Sequence, residues 1–407
     1  MTPTGPGGRL GPEVFDLPVP EIRMGYRSAV YFNRTKLVVE RERPGTVATM
    51  QVFQKGTSVL CGIDEALAVL RVGAGGWADR DRAAAVFDSW LAARLDARAA
   101  RLTDADGAAR ARLRHFEWER ALDGLWRAGW AALEVAALRD GDRIEPWETV
   151  MTISGPLHLF VHLESVYLGV LARRTKVATN VADVVAAAKG KPLLFFADRF
   201  DHFATQGGDG WAAHVGGARG VCTDAMAAWW GDHGLGTMPH ALIAAYRGDT
   251  PAALAAFARH VPGVDLVALV DFNNDCVADA LDCARARPDL WGVRLDTSET
   301  MVDRSITPEV MGDFPPAGVN VPLVRLVRAA LDGEGFGHVK IIVSGGFDPA
   351  RIAAFEEAGA PVDAYAVGSS LLRGSREFTA DVVEVDGRPL AKAGRHRRPN
   401  PRLEVVP

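Results

Sequence analysis

Beyond about Pro192 the chain repeats one pattern, a short apolar run ending on a polar residue or glycine and followed by a stretch with helical spacing. The runs are PLLFFADR, GTMPHALI, DLVALVDFNND, WGVRLDTSE, VKIIVSGG and VDAYAVGSS. Buried parallel strands are nearly continuous in apolar residues, and their alternation with helices predicts an α/β barrel. The earlier sequence is patterned differently. VATMQVFQKGTSVL, residues 47–60, predicts two short strands around Lys55-Gly56. Residues 79–138, rich in Ala, Arg and Leu, predict two or three helices with a break near Thr103-Asp104 and Gly107. GDRIEPWETVMTISG, residues 141–155, returns to strand-like alternation. DVVEVDGRPLAKAGR predicts a closing hairpin that turns at Asp386-Gly387 and docks on the amino-terminal domain. The expected organisation is a loose tail over 1–20, an α/β domain with a helical insertion over 21–155, the barrel over 156–375, and a returning segment over 376–407.

Composition narrows the chemistry. A chain of 407 residues suits a large barrel plus a satellite domain. Net charge is −5 and no basic run interrupts it, so no nucleic-acid partner is expected. Cys61, Cys222, Cys276 and Cys283 never form a C-x-x-C pair, which argues against both zinc and a disulfide framework. The first residues lack an apolar signal core and no apolar run reaches membrane-spanning length. A cytoplasmic location without membrane contact is the expectation.

Active sites of α/β barrels form at the carboxyl ends of the strands. Here those ends carry Arg199, His240, Asp271, Asp296, Ser344-Gly345-Gly346 and Gly368-Ser369-Ser370. The two glycine-containing ends fall on the last two strands, each ahead of a helix. Backbone N–H groups and a helix amino terminus there suit a phosphate, although ordinary βα turns share the pattern. Arg294 and Asp296, two apart on one strand, share a face. They suit a ligand with phosphate and sugar hydroxyls, or Mg²⁺ on the carboxylate, with an internal salt bridge as the plainer alternative. Asp271 and Asn273 repeat that spacing one strand earlier. His240 stands between Arg199 and Asp271 in the ring of strand ends, where Asp271 is expected to orient its imidazole. Phe196 and Arg199 fit an aromatic acid, by ring stacking and an ion pair, unless Phe196 serves only the core.

Together these motifs resemble the nicotinate phosphoribosyltransferase family, whose relatives handle nicotinamide and quinolinate. The likeness runs from about Tyr31 to Arg395 and is most specific in GTMPHALI, WGVRLDTSE, VKIIVSGG and DAYAVGSS. IEPWETVMTISGPLHLFVHLES and ATMQVFQKGTSVLCGIDEAL are also similar to family segments. The resemblance implies an incomplete TIM-like barrel joined to an open-faced α/β sandwich built from the two chain ends. It implies homodimers with shared active sites. It also implies that His240 carries a phosphoryl group from ATP, while Phe196 and Arg199 hold the pyridine with Tyr31 from the partner on its other face. Lys55, Arg294, Asp296, Ser344, Gly345, Gly346, Gly368, Ser369 and Ser370 would bind phosphoribosyl pyrophosphate, with Asp271 and Asp296 near Mg²⁺.

One residue departs from the family pattern. Arg219, in AHVGGARGVCTD, stands where many members carry an aspartate near the substrate's carboxamide or carboxylate. A cation there favours an acid over an amide, unless Arg219 pairs with Asp224. The expected reaction is formation of nicotinate mononucleotide and pyrophosphate, coupled to ATP. The alternatives are a decarboxylating quinolinate phosphoribosyltransferase and a non-catalytic phosphoribosyl- or nucleotide-binding homologue.

Overall fold

A computed structural model describes residues 8–103 and 105–407. The chain divides into two compact units, one of Lys176–Gly374 and one of the residues up to Thr175 with Ser375–Pro407. Residues 1–7 of the expected tail and Asp104 of the expected break lie outside the described residues.

The unit holding the chain ends begins earlier than its pattern suggests. Residues 8–20 are packed rather than loose, because Leu10 and Phe15 are buried and Arg9 pairs with Asp64 at 3.0 Å. Helix α1 (Val30–Glu42) precedes strand β1 (Val47–Gln54), whose residues after Val47 are all buried. The helical stretch forms α2 (Arg80–Thr103) and α3 (Ala105–Leu125), packed against each other. Gly107 lies inside α3 and does not break it. Helix was expected as far as 138, yet Trp126–Ala128 pairs with Gly75–Trp77 and Glu134–Ala137 forms strand β2. Burial of Trp126 and Val135 overrides their helical spacing there. Strand β3 (Thr149–Pro156) follows, then helix α4 (Glu164–Ala187), within which the boundary between the units falls.

The second unit contains β4 (Leu193–Phe195), β5 (Gly220–Val221), β6 (Val267–Leu269), β7 (Gly292–Leu295), β8 (Lys340–Val343) and β9 (Ala364–Val367). They form one parallel sheet in the order β6-β7-β8-β9-β4-β5, the curled half of an α/β barrel. GTMPHALI is not a strand. Residues 232–239 make no ladder, and His240 instead opens the short helix α5 (His240–Ala245). Pro239 has no N–H to give a ladder, while buried Met238 pins the segment to the core. The barrel is thus left incomplete between its edge strands β5 and β6, and His240 lies on the chain that joins them.

Later helices begin where the sequence places good caps. Asp275, Asn320 and Asp348 each accept a backbone N–H at the starts of α6 (Cys276–Ala286), α7 (Val321–Gly333) and α8 (Pro349–Glu357). Pro322 and Pro349 occupy first-turn positions that need no N–H.

The chain then returns to the first unit as β10 (Phe378–Val385), β11 (Arg388–Pro389) and β12 (Glu404–Val405). The sheet order is β11-β10-β1-β3-β2-β12, an antiparallel sandwich sheet built from both chain ends. Asp386 and Gly387 both take positive φ, 48° and 73°, at the hairpin turn.

Candidate active site

Four of the six barrel strands, β4, β7, β8 and β9, end beside one cavity of about 270 Å³, all of it within the Lys176–Gly374 unit. Its walls include Phe196, Arg199, His240, Arg294 and Asp296, together with Ser344, Gly345, Gly346, Gly368 and Ser369. All but His240, which opens α5, stand at or just beyond the end of a strand whose apolar residues fill the core beneath.

On one side stand the aromatic and cationic groups. Phe196 is half-buried, with its inner face packed against Val267, Ile342, Ala364 and Ala366. The Arg294 guanidinium lies 5.7 Å from its ring centroid. Burial lowers the Arg294 pKa, partly opposed by the carboxylates of Asp296 and Asp271. Its enclosed Nε has no hydrogen-bond partner among the described residues. Arg199 is exposed and lies 5.3 Å from the Phe200 ring centroid.

His240 projects from the first turn of α5, 44% exposed, with Nε2 3.0 and 3.1 Å from the two oxygens of Asp271. Asp271 does not line the cavity; it stands behind the imidazole with its own side chain 9% exposed. The hydrogen bond that His240 donates to Asp271 raises the His240 pKa, aided by Asp296 and opposed by burial and Arg294. With Nε2–H donating to Asp271, the neutral ring carries its lone pair on Nδ1. Asn273 takes no part, because its Nδ2 donates to the Gly248 carbonyl and to Asp279.

The opposite side suits a sugar phosphate. Ser344 Oγ donates to Asp296 Oδ1 at 2.7 Å and so fixes the carboxylate. Gly345 and Gly346 both take left-handed φ, +86° and +69°, exposing backbone beside Asp296. Arg351 Nη1 donates to the Gly345 carbonyl at 2.7 Å, and the guanidinium covers Phe347, which keeps the loop in place. A side chain at Gly368 would put its Cβ 2.4 Å from a Phe200 ring carbon and 2.6 Å from the Phe196 carbonyl oxygen.

Two expectations are corrected. Arg219 is not in this cavity. Its N–H donates to the Leu193 carbonyl at 2.8 Å, so it sits at the amino ends of β4 and β5, in a separate cavity with Lys191, His214 and Trp230. Ser370 turns away as well. The 3₁₀ turn Ser369–Leu372 directs its hydroxyl to the Phe347 carbonyl at 2.8 Å, where it ties two loops together. Tyr31, on α1, and Lys55, just after β1, belong to the other unit, and both side chains are exposed. The sequence reading missed Asp198, Phe200, Pro239 and Phe347 in the cavity wall. Each adjoins, or lies one residue from, a position that was singled out, and that adjacency was the available signal.

No cluster of three metal-ligating side chains is present among the described residues. Mg²⁺ is commonly held by one or two carboxylates plus substrate phosphates, so Asp296 and its loop fit a metal arriving with a diphosphate. Asp271 fits less well because both its oxygens face His240.

No family model matches the chain. A nicotinate phosphoribosyltransferase of Mycobacterium tuberculosis, pncB1, is 31% identical over 286 residues, which are 67% of this chain and 58% of that protein. This chain therefore spans little more than half the length of the curated relatives it matches. The nicotinate-nucleotide pyrophosphorylase structure from Pyrococcus furiosus superposes with a TM-score of 0.68 at 27% identity, covering 95% of this chain and 84% of that one. Human nicotinic acid phosphoribosyltransferase, at TM-score 0.60 and 19% identity over 89% and 75%, shares the fold. An incomplete parallel barrel with an open-faced sandwich defines the type II phosphoribosyltransferase class. Within that class, the chain belongs to the nicotinate phosphoribosyltransferase family. No helix among the described residues is long and apolar enough to cross a membrane.

Proposed function

We propose that this protein transfers a phosphoribosyl group from phosphoribosyl pyrophosphate to nicotinate, forming nicotinate mononucleotide and pyrophosphate, with ATP hydrolysed alongside. The observation that carries this reading is a single cavity joining Phe196 and Arg199 to Asp296 and the glycine loops, with the His240–Asp271 pair at its edge.

The pyridine stacks on Phe196 while its carboxylate pairs with Arg199. Asp296 accepts the ribose hydroxyls, and the backbone of Ser344–Gly346 and Gly368–Ser369 cradles the 5′-phosphate. The ring nitrogen attacks the anomeric carbon as the bond to the pyrophosphate oxygen breaks. The nitrogen's lone pair forms the new bond and the leaving oxygen keeps the old pair, so no protein base is needed. Positioning and charge neutralisation supply the rate, with Arg294 facing the developing pyrophosphate charge. Mg²⁺, held through Asp296 and the diphosphate, would add further neutralisation. His240 takes the γ-phosphoryl group of ATP on Nδ1 as ADP leaves, and water later releases it. Tyr31 and Lys55 complete the site from a second subunit in a homodimer.

Arg219, the cation expected to favour an acid over an amide, lies in another cavity, and Arg199 remains to pair with a single carboxylate. A monoacid is therefore favoured. The test is product analysis by mass spectrometry with nicotinate, nicotinamide or quinolinate, with and without ATP. Nicotinate mononucleotide formed faster with ATP supports the reading. Carbon dioxide released from quinolinate, or no mononucleotide from any pyridine, contradicts it.

A further inference from the structure

One carboxylate in the cavity has no role in this scheme. Asp198 lies between Phe196 and Arg199 in the turn that follows β4, and it forms part of the same wall. Cys222, just beyond β5, holds it. Its Sγ is 3.0 Å from Asp198 Oδ1 and 3.9 Å from the Met226 sulfur. Burial and the hydrogen bond to Asp198 push the Cys222 thiol up to about 12, so it keeps its proton and donates to the carboxylate.

The charge pattern of the wall gives this pair a consequence. Arg294 lies 5.7 Å from the Phe196 ring centroid and interacts with both Asp296 and Asp271. Beside the same ring stand the cation Arg199 and, one residue before it, the anion Asp198. A pyridine with one carboxylate can pair with Arg199 and keep Asp198 at a distance. A second ring carboxylate meets Asp198 in the cavity wall, where like charges repel. An uncharged amide meets no such penalty and can donate an N–H to the same oxygens.

We propose that Asp198, held by the Cys222 thiol, is the group that limits this cavity to pyridines bearing at most one carboxylate. The proposal rests on the pyridine-binding reading above, and it makes Asp198 a specificity-determining residue of that site.

The test measures dissociation constants of nicotinamide, nicotinate and quinolinate for the wild-type protein and for Asp198→Asn, with phosphoribosyl pyrophosphate omitted and thermal midpoints recorded. Asp198→Ser serves as a second neutral variant in case the first folds poorly. The expected result is that quinolinate affinity rises relative to nicotinamide by roughly tenfold, the change that about 1.4 kcal/mol of relieved repulsion produces. Nicotinate should gain less. Unchanged affinity ratios in a folded neutral variant overturn the proposal. Because binding is read without turnover, that outcome is separate from a failure to form nicotinate mononucleotide, which bears on the proposed function alone.

Discussion

The Nε2 atom of His240 lies 3.0 Å from one carboxylate oxygen of Asp271 and 3.1 Å from the other. This contact fixes both the ring's orientation and its proton affinity, and it leaves Nδ1 as the free nitrogen of the neutral imidazole.

The hydrogen bond raises the His240 pKa above its ordinary value of 6.5. A protonated ring cannot accept a phosphoryl group, so ATP-coupled turnover should rise with pH through that elevated pKa. Asp271→Asn removes the charge that favours the imidazolium and should move this limb to lower pH. Total rate should fall as well, by roughly 10²-fold, the scale of a misplaced catalytic group. A pH–rate profile of the ATP-dependent increment checks this. An unmoved limb contradicts the pairing.

Gly368 is expected to tolerate no side chain. Alanine there brings Cβ within 2.6 Å of the Phe196 carbonyl oxygen, a backbone atom that cannot step aside alone. Overpacking of this kind costs about 1–3 kcal/mol. Gly368→Ala should therefore lower the thermal midpoint and raise the KM for phosphoribosyl pyrophosphate, both read directly from melting curves and steady-state kinetics.

Arg219→Ala should leave the relative kcat/KM of nicotinate, nicotinamide and quinolinate unchanged, because Arg219 lines a cavity at the opposite ends of the strands. A shift in those ratios would return it to the substrate site.

Lys36 gives the sandwich unit a pH-dependent stability. It is buried on α1, and its ammonium donates to the carbonyls of Gly75 and His158. Burial lowers its pKa from 10.5 to about 7, with Glu40 opposing and Arg80 adding to the shift. Between these values the unfolded chain binds one proton more than the folded one, so this group makes stability rise with pH across that window. In Lys36→Met that part of the slope should vanish from denaturant melts taken between pH 7 and 10. An unchanged slope contradicts the lowered pKa.

The parallel sheet and the two glycine-containing turns were legible because their signals are local. Apolar runs such as VKIIV and DAYAV admit few other environments, and paired glycines announce left-handed backbone at Gly345 and Gly346. Direction was harder to read. GTMPHALI has strand-like composition, yet the proline before His240 and the open barrel edge turn it into a coil leading to a helix. Ser370 follows Ser369 directly, but a 3₁₀ turn sends the two side chains to different places. Arg219 matches a position where many family members carry an aspartate, while its place just before β5 puts it at the amino end of that strand. Asp198 escaped notice because a charged residue beside Arg199 looks like a solvated pair until the cavity wall is seen.

The most direct test of a shared pyridine and phosphoribosyl cavity is the steady-state kinetics of Arg199→Ala and Asp296→Asn with both substrates varied. Arg199→Ala should raise the KM for nicotinate by roughly tenfold or more and leave the donor's KM nearly unchanged, as the loss of about 1.4 kcal/mol or more from one contact requires. Asp296→Asn should do the reverse and also lower kcat. Wild-type constants for both substrates in both variants would contradict the account.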